Sequence, residues 1–164
     1  MLGSSPACRA RSLTILVLAI GGVPSIHAQS TSTSTELLAP ERAQMVERYA
    51  SERLWLWQKR LNLQGWKVSV KVSRANELKP KTVGNIHWDR DKKTAVIRVL
   101  DPADYHVAFS EMLRDIEFTV VHELIHLEMA PVLSDLQRTE ENRMEEEHAV
   151  NQMTEALLKL DRGQ

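Results

Sequence analysis

At 164 residues, with 43% hydrophobic and 26% charged positions, the chain has room for one globular domain and hardly for two. Six prolines and six glycines exclude a fibrous or low-complexity protein. A net charge of −1 excludes a broad electrostatic grip on nucleic acid, so no nucleic-acid partner is expected.

The N-terminus reads as an export signal. Arg9 and Arg11 form a basic start, residues 12–23 (SLTILVLAIGGV) are nearly all apolar, and Pro24 breaks the run. Ile26 and Ala28 then supply the aliphatic and small residues of a cleavage point, so residues 1–28 are expected to be a signal peptide. The competing reading is a retained anchor, but the apolar run falls short of the roughly 20 residues that span a bilayer. No stable membrane insertion is therefore expected after cleavage, and the mature protein is expected to be exported, periplasmic or secreted. Removing 28 of 164 residues leaves 136, and the loss of Arg9 and Arg11 takes the charge from −1 to −3. Cys8, the only cysteine, also goes, so packing, with or without a metal, and not disulfides must hold the domain together.

Residues 29–39 include STSTST at 30–35, which has nothing apolar to bury and reads as a flexible leader before a domain at 40–164. Residues 40–63 are predicted helical. Pro40 suits a first turn, and Val46, Ala50, Leu54, Trp57 and Leu61 form one apolar stripe. Gly65 is expected to end this helix, and Trp55 and Trp57 to serve packing. Residues 66–73 (WKVSVKVS) alternate strictly, as a strand with one buried face does. Residues 83–88 and 94–100 read as a hairpin around the polar turn 89–93, with 94–100 the more apolar and central strand and 83–88 an edge. A helix over residues 110–129 follows, with Ser110 as its N-cap, Glu111 at its positive end and Pro131 as its stop. It is apolar on nearly all sides and so expected to be buried. A last helix is predicted over residues 139–160, with Val150, Met153, Leu157 and Leu160 on its buried stripe. Helix, three strands, helix, helix is an α+β layout.

The chemistry lies in residues 120–127, VVHELIHL. His122 and His126, four apart on a helix, fall one turn apart on the same face, where both imidazoles can reach one ion. Glu123 sits one position round and reaches the metal's water, not the metal. This is the H-E-x-x-H zinc pattern. Two histidines and a glutamate inside an apolar run would be costly without partners, and a metal offsets that cost. The competing reading is a pair of core histidines hydrogen-bonded to their neighbours.

A catalytic zinc needs a third protein ligand. Met129 and Val132 stand where the metzincin extension wants Gly and His, which excludes that class. Asp135, His148 and the glutamates of the last helix remain. Stepping back from Val150 along the buried stripe reaches Glu147 and Glu146. Glu147 is the first choice, Glu146 the second and His148 the third, with at least one of Glu145, Glu146 and Glu147 expected on a solvated face.

On these residues the chain resembles the gluzincins, in which a second helix past the motif supplies a glutamate; Glu147 lies 21 residues after His126. Residues 145–158 (EEEHAVNQMTEALL) are similar to the glutamate-bearing helix of small single-domain members, and the layout resembles these minimal gluzincins and the SprT-like group. The likeness implies a minimal zincin-like fold and peptide-bond hydrolysis on a peptide or protein substrate. It implies zinc on His122, His126 and Glu147, with a zinc-bound water activated by Glu123. The likeness is to the small members, so the substantial C-terminal domain of larger gluzincins, which often supplies transition-state stabilisers, is not expected. Tyr105 and His106 are the candidates for an oxyanion donor. The DNA-associated substrates of the SprT-like group do not suit an export signal and a mature charge of −3. Two rival readings are a secreted, zinc-stabilised binding module that cleaves nothing and a helical core protein without metal.

Overall fold

The computed structural model describes residues 39–133, 137 and 139–164. The expected signal peptide, residues 29–38 of the leader and Asp135 lie outside the described residues. Helix α1 (Ala39–Arg60) leads to strands β1 (Lys67–Ser73), β2 (Gly84–Asp89) and β3 (Thr94–Leu100), then to helices α2 (Phe109–Leu133) and α3 (Glu140–Asp161). The α+β order expected from the pattern is the order found.

The sheet runs β1-β3-β2, with β3 in the centre. β2 and β3 form the expected antiparallel hairpin, in which Ile86 opposes Ile97 and Trp88 opposes Ala95. β1 runs parallel to β3, with Val70 opposite Ile97. The alternation puts Val68, Val70, Val72, Ile97, Ile86 and Trp88 against the helical core. Lys67, Ser69, Lys71 and His87 face outwards. Among the described residues, α1 and α2 pack on the inner face of the sheet and α3 packs on α2. α2 packs against α1, α3, β2 and β3 and is the centre of the domain. Met112, Ile116, Val120, Val121, Leu124 and Leu127 on it are each at most 1% exposed, so a helix apolar all round is buried as expected. Each such side chain contributes about 1.5–3 kcal/mol by leaving water.

Several local expectations are corrected. α1 ends at Arg60 and is terminated by Asn62, not Gly65. Asn62 takes φ 58, its N–H bonds to the Lys59 carbonyl at 3.2 Å, and the Leu63 N–H bonds to the Gln58 carbonyl at 2.8 Å. This is the Schellman pattern, which asparagine also tolerates. Ser110 is not the N-cap of α2. The Ala108 carbonyl accepts from Glu111 and Met112, both at 3.0 Å, so the helix opens earlier and Ser110 sits in its first turn. Pro131 lies inside α2. It removes one N–H where only Val132 and Leu133 follow, and the helix runs on to its end.

On α3 the N-cap is Thr139, whose Oγ1 accepts from the Asn142 N–H at 3.1 Å. Its buried positions are Val150, Thr154 and Leu158, whereas Met153 and Leu160 are 38% and 72% exposed. Thr154 breaks the apolar pattern in the sequence, yet it is fully buried because its hydroxyl donates to the Val150 carbonyl at 2.8 Å.

Of the two tryptophans on α1, Trp55 is 69% exposed and Trp57 is 2% exposed. Trp57 Nε1 donates to the buried Glu117 carboxylate at 3.2 Å, and Arg53 and Arg162 approach the same carboxylate at 3.5 and 3.2 Å. This charge, taken out of water, is thus paired and hydrogen-bonded, and it ties α1, α2 and the end of α3 together.

Candidate metal centre

His122 and His126 project from one face of α2, and their Nε2 atoms lie 3.0 Å apart with the rings edge to face at 73°. Phe118, one turn back, covers His122 at a ring-centroid distance of 6.0 Å. α3 crosses beside them. Glu147 Oε2 stands 3.3 Å from Nε2 of His122 and 3.6 Å from Nε2 of His126. Ligand atoms about 2.0–2.1 Å from one tetrahedral ion stand about 3.3 Å from each other. The three separations of 3.0, 3.3 and 3.6 Å bracket that value. The donor set therefore fits a zinc-sized cation.

Glu146, next to Glu147, does something different. Its Oε1 lies 3.0 Å from Nδ1 of His126, on the far side of the ring from Nε2. When Nδ1–H donates to Glu146, Nε2 keeps a free lone pair turned towards His122 and Glu147. Asn151, one turn past Glu147, is close enough to favour the protonated form of His122. The His122 Nδ1 is nevertheless buried without a formed hydrogen bond, so Asn151 approaches the ring without completing one. Burial first, and then the His126 charge, hold His122 below its ordinary pKa. A neutral imidazole is the form a metal requires.

Glu123 is 8% exposed and borders the same cleft. Burial pushes its carboxyl up to about 8, the Glu147 charge adds to the rise, and Lys79 opposes it. The cleft holds about 560 Å³. β2 lines one side with Gly84, Asn85, Ile86 and Trp88, and α3 lines it with Arg143, Glu146, Glu147 and Asn151. Gly84 lies on the inner face opposite Val99. A Cβ there would stand 2.3 Å from Thr119 Cγ2 and 2.7 Å from the Arg98 carbonyl. The missing side chain is what lets the edge strand close on α2 one turn before Glu123.

His122, Glu123, His126, Glu146 and Glu147 thus meet at one cleft. His148 does not line it and is paired with Gln152 at 2.9 Å. Tyr105 and His106 do not line it either. Tyr105 packs against the hydrophobic core with its hydroxyl buried, and burial, with the Asp115 charge, pushes its pKa up to about 12. His106 is exposed. Both are withdrawn as oxyanion candidates. In the sequence Glu146 stands only as a rival to Glu147, and Asn151, Lys79 and Lys81 are not among the candidates. Only Asn151 carried a signal, its spacing of one turn from Glu147. No family model, curated protein or solved structure matches the chain.

Proposed function

We propose that this chain is an exported, periplasmic or secreted, zinc-dependent peptidase of gluzincin type, with His122, His126 and Glu147 as metal ligands and Glu123 as general base. One observation carries this reading: two Nε2 atoms and a carboxylate oxygen converge within 3.6 Å at a cleft that a nearly buried glutamate also borders. Zinc bound there supplies Lewis acidity towards a substrate carbonyl and a water. Glu123 takes the water's proton and hands it to the leaving amine. Glu146 holds His126 in the tautomer and orientation that leave Nε2 free. The edge of β2, free among the described residues and already part of the cleft wall, offers main-chain hydrogen bonds to an extended peptide.

The test is Glu123→Gln in the full chain, with zinc content and hydrolysis of a peptide library measured on one sample. Retained zinc with lost hydrolysis is the expected result. Unchanged function in the variant points to the binding module instead. Wild-type protein that takes up no zinc overturns both readings.

A further inference from the structure

Six charged side chains line the cleft: Glu123, Glu146, Glu147, Lys79, Lys81 and Arg143. Glu146 and Glu147 are engaged with the histidines. Arg143 on α3 pairs with Glu140 at 3.4 Å. Lys79 and Lys81 make no ion pair among the described residues, although both are exposed and both border the cleft.

Their backbone is held in place. Residues 79–82 form a tight turn in which the Thr82 N–H and Oγ1 both donate to the Lys79 carbonyl, at 3.2 and 2.9 Å. Pro80 fixes the second position, and Lys81 occupies the third at φ 65. This is a type II turn, whose third position favours glycine or asparagine. A lysine there costs roughly 1–2 kcal/mol. Leu78, 8% exposed, anchors the turn in the core. On its N-terminal side Asp104 accepts from Arg74 at 2.6 Å and from the Ala75 N–H at 2.8 Å. A strained lysine on an anchored turn therefore borders the cleft, two positions from a second lysine that borders it too.

The turn immediately precedes β2. A peptide that pairs antiparallel with the free edge of β2 runs the opposite way, so its C-terminal half meets the start of that strand and both lysines.

We propose that Lys79 and Lys81 form a carboxylate-binding subsite, which selects peptides carrying an acidic group on the C-terminal side of the cleaved bond. The acidic group is either a side chain or the chain terminus. The cleavage rests on the peptidase reading above, whereas the binding rests on the turn and the cleft.

Both sources are tested with fluorescently labelled, alanine-rich peptides. One carries Glu near an amidated C-terminus, one carries Gln there, one carries Gln with a free C-terminal carboxylate, and one carries Glu near the N-terminus with an amidated end. Anisotropy is read on the zinc-loaded full chain bearing Glu123→Gln, so that no peptide is consumed. At least one of the two C-terminally acidic peptides should bind about tenfold tighter than the Gln amide, as a hydrogen-bonded charge warrants. The one that does so identifies the source. N-terminal Glu should gain nothing. Adding Lys79→Ala and Lys81→Gly together should abolish the difference, whereas Lys92→Ala at the hairpin tip should leave it intact. Glycine relieves the left-handed strain at position 81, so thermal stability should not fall, and lost selectivity cannot be ascribed to unfolding.

Equal binding of acidic and amide peptides, no binding of either acidic peptide, or a preference that survives the double substitution overturns the subsite. Wild-type hydrolysis keeps the two readings apart. Selective binding without cleavage defeats the peptidase reading and leaves the subsite standing. Cleavage without selective binding does the reverse.

Discussion

Glu146 Oε1 lies 3.0 Å from Nδ1 of His126, and so faces the side of the imidazole turned away from His122. Adjacent glutamates on one helix thus address opposite ends of the same ring, because Glu147 stands 3.6 Å from its Nε2.

The two carboxylates should therefore be separable by zinc affinity. Glu147→Ala removes a ligand and should cause the largest loss. Glu146→Ala leaves the ligand set complete but frees His126 to rotate and change tautomer, so it should weaken zinc binding about 10–100-fold. Glu145→Ala, at an exposed position, should change little. Competition titration with a chelator ranks the three. Equal, small effects for Glu147 and Glu145 would remove Glu147 from the site.

Gly84 supports the cleft without touching its chemistry. Gly84→Ala drives a methyl into Thr119 Cγ2 and the Arg98 carbonyl, both closer than 3.0 Å. The expected cost is about 1–3 kcal/mol, the usual range for overpacking. Thr119→Ser removes Cγ2 and keeps the hydroxyl that donates to the Asp115 carbonyl at 2.8 Å. It should rescue part of the loss, because the Arg98 carbonyl cannot move away. Urea denaturation of the two single variants and the double variant measures the coupling.

The acid limb of stability should depend on Asp161. Arg60 hydrogen-bonds its carboxylate at 2.6 Å and holds its pKa below the ordinary 3.8. A lowered pKa in the folded state means that the unfolded chain takes up the proton first. The pair's contribution is thus present above 3.8 and disappears as pH falls through the folded value. Wild type should exceed Asp161→Asn in stability at neutral pH, by no more than about 1 kcal/mol for so exposed a pair. The gap should close in acid. Thermal unfolding across pH tests this, and a gap that is constant or grows as pH falls would refute it.

Much of the fold was legible because local periodicity and burial coincide. In residues 66–73 every second side chain is apolar, and the strand turns those half-buried positions towards the core. The apolar TAVIRVL segment is the central strand, since only a strand paired on both sides needs so little polar surface. The buried stripe of α3 departs from the hydrophobic pattern where a polar residue is buried. Thr154 satisfies itself on the Val150 carbonyl, so hydrophobicity alone shifted the stripe towards Met153 and Leu160.

The same rotation of α3 sets the roles of its glutamates. Neighbours on a helix point about 100° apart, and spacing along the chain does not say which face the next element will meet. By itself the sequence determined that His122 and His126 share a face of a buried helix with Glu123 beside them, because three residues within five positions obey helix geometry alone. Only the tertiary structure decided that Glu146 meets Nδ1 while Glu147 meets Nε2, that β1 lies parallel to β3, and that two lysines from a distant turn border the cleft. Those relationships join segments far apart in the chain, and they follow from how whole faces pack, which no short window of residues encodes.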